Sequence, residues 1–172
     1  SKDLLRAETS AVYLTEPATS LLRATSAIGV DSEEIKNDPL QLGVGILGDI
    51  AMRKIGEIVN NTTADSRAIP VKGTEILPHE HIMGVPVLSN DQLTGLLVVW
   101  RTGKDREFKT TDLDFLSSLA QQAAVAIENA RLFEAEHKRR KEAEIVRQAA
   151  TVLTSLLDLP SLHEAILDWL RK

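Results

Sequence analysis

From Thr9 to Thr15 the chain sets Ala11, Val12, Tyr13 and Leu14 in a short β-prone run that stops at Glu16-Pro17. Ser20 to Ile28 repeats the pattern before Gly29, so the two runs predict a hairpin. Asp31 to Pro39 is polar and acidic with no sustained period. Ile46, Leu47, Ile50, Ala51 and Ile55 then recur at helical spacing up to Gly56, which predicts a short helix closed by glycine. Glu57 to Asn60 reads as a further strand. Asn61 to Leu77 mixes Thr, Asp, Arg, Pro and Gly without a period and predicts a long excursion, a kind of segment that is often functional in compact domains.

The strongest strand pattern follows. His81 to Ser89 and Gln92 to Arg101 flank Asn90-Asp91, which predicts a second hairpin with a tight turn. Pro86 inside the first of these strands calls for an edge or a bulge, because proline cannot donate to a ladder. From Thr111 the period changes to that of a helix, with Leu113, Leu116, Ala120, Ala123, Ile127 and Ala130 along one face. Thr110 or Thr111 is the expected cap. Leu132, Glu136, Arg139, Ala143, Val146, Ala150, Leu153 and Leu157 continue the spacing, and no glycine or proline interrupts it before Pro160. One long helix is expected there. Ser161 to Glu164 is a capping-box pattern opening a final amphipathic helix with no core of its own to join, so the chain reads as an excerpt whose last residues begin a neighbouring domain.

Composition narrows the chemistry. With 20 basic and 25 acidic residues the formal charge is −5, which disfavours nucleic acid as a partner. No apolar run is long enough to span a membrane and no signal peptide opens the chain, so a cytoplasmic location without membrane insertion is expected. The absence of cysteine excludes disulfides, thiol catalysis and thioether-linked chromophores.

Several motifs have both a chemical and a plain reading. Gly43-Val44-Gly45-Ile46-Leu47-Gly48 matches the dinucleotide fingerprint, but it lacks a preceding buried strand and later βαβ units, so its glycines are better read as starting a helix and letting it pack closely. His79-Glu80-His81 puts two imidazoles on one face if extended, yet a metal site needs further ligands that are absent nearby. Lys138 to Lys141 is basic, but Glu134, Glu136, Glu142 and Glu144 at i,i+4 make it a solvated, ion-paired helix. No nucleophile elbow, zinc-protease helix or Walker loop occurs, so no catalytic residue and no cofactor is assigned.

In order, Leu42 to Gly48, Asp65-Ser66-Arg67, Gly84 to Leu88, Thr94 to Val99, Phe108 to Leu116 and Leu119 to Phe133 resemble the GAF domain family, with Leu156 to Leu167 resembling the opening of a second such domain. The resemblance implies an α+β fold: a central antiparallel β-sheet flanked by helices, with a long C-terminal helix extending toward a following domain. The divisions expected are residues 1–133 as sensory domain, 134–158 as coiled-coil-like linker and 159–172 as the start of the next domain. It also implies a small-molecule pocket between the sheet and the 61–77 excursion. Bilin-carrying and sulfoxide-reducing branches depend on cysteines missing here, and only part of a cyclic-nucleotide signature survives in Lys104, Phe108 and Asp112.

The expected function is a non-catalytic regulatory domain of a signal-transduction protein, of sensor-kinase or nucleotide-cyclase type. It would sense a small molecule or dimerise and pass a conformational signal along its long helix to a neighbouring signalling domain. A ligand-free spacer and, more remotely, a dinucleotide-binding enzyme domain are the alternatives. Asp65, Arg67, His79 and His81 are the candidate ligand residues. Leu116, Leu119, Ala123, Ala126, Ile127, Val146, Ala150, Leu153 and Leu157 are expected to form a parallel homodimer seam or to pack on the sheet.

Overall fold

Six strands form one antiparallel sheet in the computed structural model, which describes residues 5–16, 19–156, 167 and 169–171. The strands are β1 (Thr9–Thr15), β2 (Leu21–Ile28), β3 (Leu40–Gln41), β4 (Glu57–Asn60), β5 (Glu80–Ser89) and β6 (Gln92–Thr102), ordered β3-β2-β1-β6-β5-β4. Both predicted hairpins are present. Asn90 and Asp91 at the β5–β6 turn have φ of 49° and 60°, the left-handed pair that matches strand twist in a two-residue connection. Among the described residues, the α-helices that accompany the sheet include α1 (Ser32–Asn37), α2 (Gly45–Arg53) and α3 (Thr110–Leu156). The chain is therefore α+β, as the resemblance implied.

Alternation along the strands sorts side chains onto two faces. Ile82, Leu96 and Val98 join Tyr13, Leu22, Leu47 and Ile50 in the core beneath α2. Met83, Val85, Val87 and Val99 join Leu5, Phe108, Leu116, Ala120 and Ala124 beneath α3. With a helix over each face, β5 is buried continuously from His81 to Val87. Gly84 makes the α2 contact possible, because a Cβ there would lie 3.1 Å from Ile50 Cδ1 and 3.3 Å from Leu47 Cδ2. Gly48 in turn lets α2 press against β3, where a Cβ would collide with the Gln41 carbonyl oxygen at 2.1 Å.

Pro86 sits in an interior strand, yet β4 pairs with β5 only as far as Gly84. The sheet is open on that side at Pro86, and the register with β6 shifts one residue later, between Val87 and Leu88. The missing N–H is thus placed where no ladder needs it. The first helix, α1, was not expected from the acidic 31–39 segment, since only Ile35 of its six residues is buried and a single turn shows no period. The expected threonine cap of α3 also differs. Asp112 Oδ2 instead accepts from the Lys109 backbone N–H at 3.0 Å, the reach-back half of a capping box.

The chain divides into two units, residues 1–128 and 129–172. In the second, every described residue of α3 from Asn129 to Thr154 is exposed. Glu136–Arg140 and Glu144–Arg147 are ion-paired along it, and Phe133 stacks on His137 with centroids 5.6 Å apart. Leu157 and most of 159–172, where a further domain is expected to begin, lie outside the described residues.

Candidate functional site

A cavity of about 350 Å³ opens between the sheet and the excursion after β4. That is within the range of small-molecule sites. Its wall on the sheet side comes from Thr9 of β1, from Glu80 and Ile82 of β5 and from Trp100 and Thr102 of β6. Register explains this grouping: Glu80 pairs with Thr102, Ile82 with Trp100, and Thr9 with Trp100 from the other side, so their side chains share one face. Ile35 of α1 and Leu40 of β3 close one end, and the first turn of α2 (Gly45, Ile46 and Leu47) closes another. The excursion supplies the roof with Ala68 to Val71 and Thr74 to Leu77.

The charged groups of the cavity are of one sign. Among the described residues, Glu8, Asp31, Asp38, Glu75 and Glu80 line it, and no Lys, Arg or His does. Glu8 is neutralised by Arg106. Asp38 Oδ2 accepts the Lys72 backbone N–H at 2.9 Å, and Glu80 Oε1 accepts the Thr62 hydroxyl at 3.0 Å. Among the described residues, none of Asp31, Asp38, Glu75 and Glu80 has an ion-pair partner. Burial pushes the Glu80 carboxyl above its ordinary pKa, against the lowering effect of its hydrogen bonds, and Asp31 adds to the rise. Near Asp38 the Tyr13 hydroxyl is buried without a hydrogen-bond partner among the described residues. Burial first, and Asp38 second, push its pKa up.

The four residues singled out from sequence lie around this cavity and not in its lining. Arg67 bonds Asp49 at 2.5 Å, Glu57 at 2.7 Å and Asp65 at 2.7 Å, which ties the excursion to α2 and β4. Arg53 joins the same Asp49 and Glu57. The Arg67 guanidinium holds all three carboxyls below their ordinary values, while Asp65 and then Glu57 hold Arg67 well above its own. Asp65 and Arg67 are thus brought together, but spent on each other. His81 is 2 % exposed. Its Nδ1 accepts the Asn61 N–H at 3.2 Å, so Nε2 carries the proton and donates to the Gly103 carbonyl at 2.9 Å. His79 precedes the strand with φ of 57° and is exposed, so the two imidazoles do not share a face. Among the described residues no group of three or more potential ligands is placed to hold a metal.

What sequence reasoning missed is the residue between those histidines. Once β5 starts at Glu80, alternation alone puts Glu80 and Ile82 on the cavity face and His81 on the opposite one.

On the far side of β6 from the cavity, Arg101 reaches the root of α3. Its Nη1 donates to the Leu5 carbonyl at 3.1 Å, and Nη2 donates to the Glu107 carbonyl and to Asp112 Oδ2. The guanidinium carbon stands 3.8 Å from the Phe108 ring centroid. Burial lowers the Arg101 pKa, and Asp112 opposes that shift.

Of the candidate dimer residues, Leu116 is buried against the sheet, with Leu119, Ala123 and Ile127 packed around the same core. Ala126, Val146, Ala150 and Leu153 are exposed. No helix among the described residues is long and apolar enough to cross a membrane.

The family model for the GAF domain matches residues 2–128. No curated protein matches the chain. Solved structures do. The GAF domain from an Acinetobacter phosphoenolpyruvate-protein phosphotransferase is 25% identical with a TM-score of 0.61, over 76% of this chain and 77% of that one. The second GAF domain of DevS from Mycobacterium smegmatis is 19% identical with a TM-score of 0.63, over 77% and 88%. Free methionine-R-sulfoxide reductase from Neisseria meningitidis, solved in complex with its substrate, is 19% identical with a TM-score of 0.62, over 76% and 73%.

Proposed function

The chain belongs to the GAF domain family, and on that premise we propose that it is a cytoplasmic, non-catalytic regulatory module. It binds a small molecule in the cavity and relays occupancy through α3 to a neighbouring output domain of a signalling protein. The observation that carries this reading is the alternation at the end of β6. Trp100 and Thr102 line the cavity, while Arg101 between them grips the start of α3. A ligand that moves Trp100 therefore moves the backbone that carries the Arg101 clamp, and only a difference in its affinity for the two arrangements can do this.

The family fold also serves enzymes, as the methionine sulfoxide reductase neighbour shows. A non-catalytic role is supported here by the absence of cysteine from the sequence, which removes thiol chemistry from the cavity. We further propose a parallel homodimer, with the exposed half of α3 as its seam, since Leu132, Val146 and Leu153 are all more than half exposed on one helix. A module that only dimerises and spaces its neighbours is the second reading, which the same exposed apolar residues favour.

Native mass spectrometry of the gently purified chain tests both readings in one spectrum. A dimer carrying extra mass is expected. A dimer without added mass, whose thermal stability is indifferent to a broad metabolite panel, would leave only the spacer reading.

A further inference from the structure

We propose that this cavity selects a cationic ligand, a small ammonium compound with an apolar body, and rejects anions. The assignment rests on the reading of the cavity as a ligand site and adds the class of compound it accepts.

Charge decides the class. Asp31, Asp38, Glu75 and Glu80 line the same 350 Å³ space without an ion-pair partner among the described residues, none of which brings a basic side chain to the lining. The nearest candidates for recognising an anion are committed elsewhere. Arg67 is surrounded by Asp49, Glu57 and Asp65, Arg106 is paired to Glu8, and Arg101 lies on the other face of β6. One feature opposes this balance, the first turn of α2, whose N-terminus lacks a side-chain cap and lines the cavity. A helix end carries roughly half a positive charge, which four carboxylates outweigh. The rest of the lining mixes apolar side chains with the uncharged Thr9, Gln41, Thr62, Thr74 and Thr102, and its one aromatic ring among the described residues, Trp100, offers the π face on which ammonium groups are held. Nucleotides and other phosphates would meet this acidic wall without a counter-charge.

The test uses the full chain with Trp169→Phe, which leaves Trp100 as the sole indole reporter. Phenylethylammonium, phenylethanol and phenylacetate share a ring and differ in charge, and each is titrated against Trp100 fluorescence. Expected is saturable binding of phenylethylammonium at least about tenfold tighter than of phenylacetate. Asp38→Asn and Glu80→Gln should each weaken the cation by about tenfold, the size of one partly screened charge contact, while phenylethanol is unchanged. Both substitutions keep the oxygen that accepts from Lys72 N–H or Thr62 Oγ1. Phenylacetate binding as tightly as phenylethylammonium would overturn the charge assignment and leave the cavity standing as a ligand site. No saturable response from any of the three at millimolar concentration would overturn the ammonium assignment, while the sensing reading would stand or fall separately on the mass spectrum and the metabolite panel.

Discussion

Arg101 and Asp112 form an ion pair at 3.2 Å that fastens the end of β6 to the first turn of α3. The arginine is 8 % exposed and also satisfies the Leu5 and Glu107 carbonyls. Replacing it by methionine keeps much of the volume but leaves three acceptors without their donor. Removing one partner of a buried pair costs about 3–5 kcal/mol, so Arg101→Met should lower the melting temperature by roughly 10 °C. Asp112→Asn keeps an acceptor for Lys109 and should cost only about 1 kcal/mol. Thermal unfolding followed by circular dichroism separates the two; equal effects would mean that the charge, not the clamp, matters.

Val71 lines the cavity from the excursion and packs against the core beneath α2. Val71→Phe adds volume to the empty side of that contact. Ligand affinity should fall at least about tenfold, with the melting temperature unchanged or raised, because the added ring gains contacts that the void denied to its lining. A lower melting temperature with affinity retained would mean that the ring turns outward.

Glu80 is kept at a thermodynamic cost. Burial raises its folded-state pKa above the ordinary 4.5. A carboxyl whose pKa is raised by folding binds more protons when native than when unfolded. Stability therefore falls as pH rises from about 4.5 through the folded-state value. Glu80→Gln should raise the melting temperature at neutral pH, and the gain should vanish below pH 4.5, where both forms of the chain are uncharged at this position. Thermal melts across pH check this, and a gain that persists in acid would trace to packing instead.

The hairpins, α2 and α3 were legible because alternation and helical period are written into their apolar positions. The excursion was legible as a long connection by its lack of period, while its place over a pocket came only from the resemblance to the GAF family. Which residues would face the cavity was not, because that depends on where β5 begins. With the strand opening at Glu80, the acid turns inward and His81 turns away to bond Asn61 and Gly103. Asp65 and Arg67 stand out in the sequence as candidate ligand residues, yet besides Asp65 the carboxylates that absorb Arg67 lie on α2 and β4, at Asp49 and Glu57, a meeting that no local spacing announces.

The Arg67 cluster pins the excursion and should fail in acid. Asp49 and Asp65 are held below 3.8 and Glu57 below 4.5, chiefly by Arg67. Carboxyls lowered by folding contribute stability that is complete above those ordinary values and is lost as pH falls through the folded-state ones. Arg67→Gln should lower the melting temperature by a few degrees at neutral pH, and the difference from the parent should shrink below about pH 4. Hydrogen exchange should also quicken in residues 68–77. Exchange there as slow as in the parent would show that apolar contacts, not the cluster, hold the roof.

On the exposed half of α3, Leu132, Val146 and Leu153 fall at multiples of seven residues, with Arg139 at the intervening position. Their exposures of 60 %, 68 % and 58 % are those of side chains without partners in their own unit. Heptad-spaced apolar residues on a straight helix meet their copies across a parallel pair, and a charge in the middle weakens the pair without changing its register. Val146→Asp with Leu153→Asp places like charges at two of the contacts, so sedimentation should shift from dimer to monomer. The melting temperature of the sheet unit should stay unchanged, because both residues belong to the other unit. Arg139→Leu should act in the opposite sense and tighten the pair. A sedimentation coefficient indifferent to both variants would place any dimer contact elsewhere on the molecule.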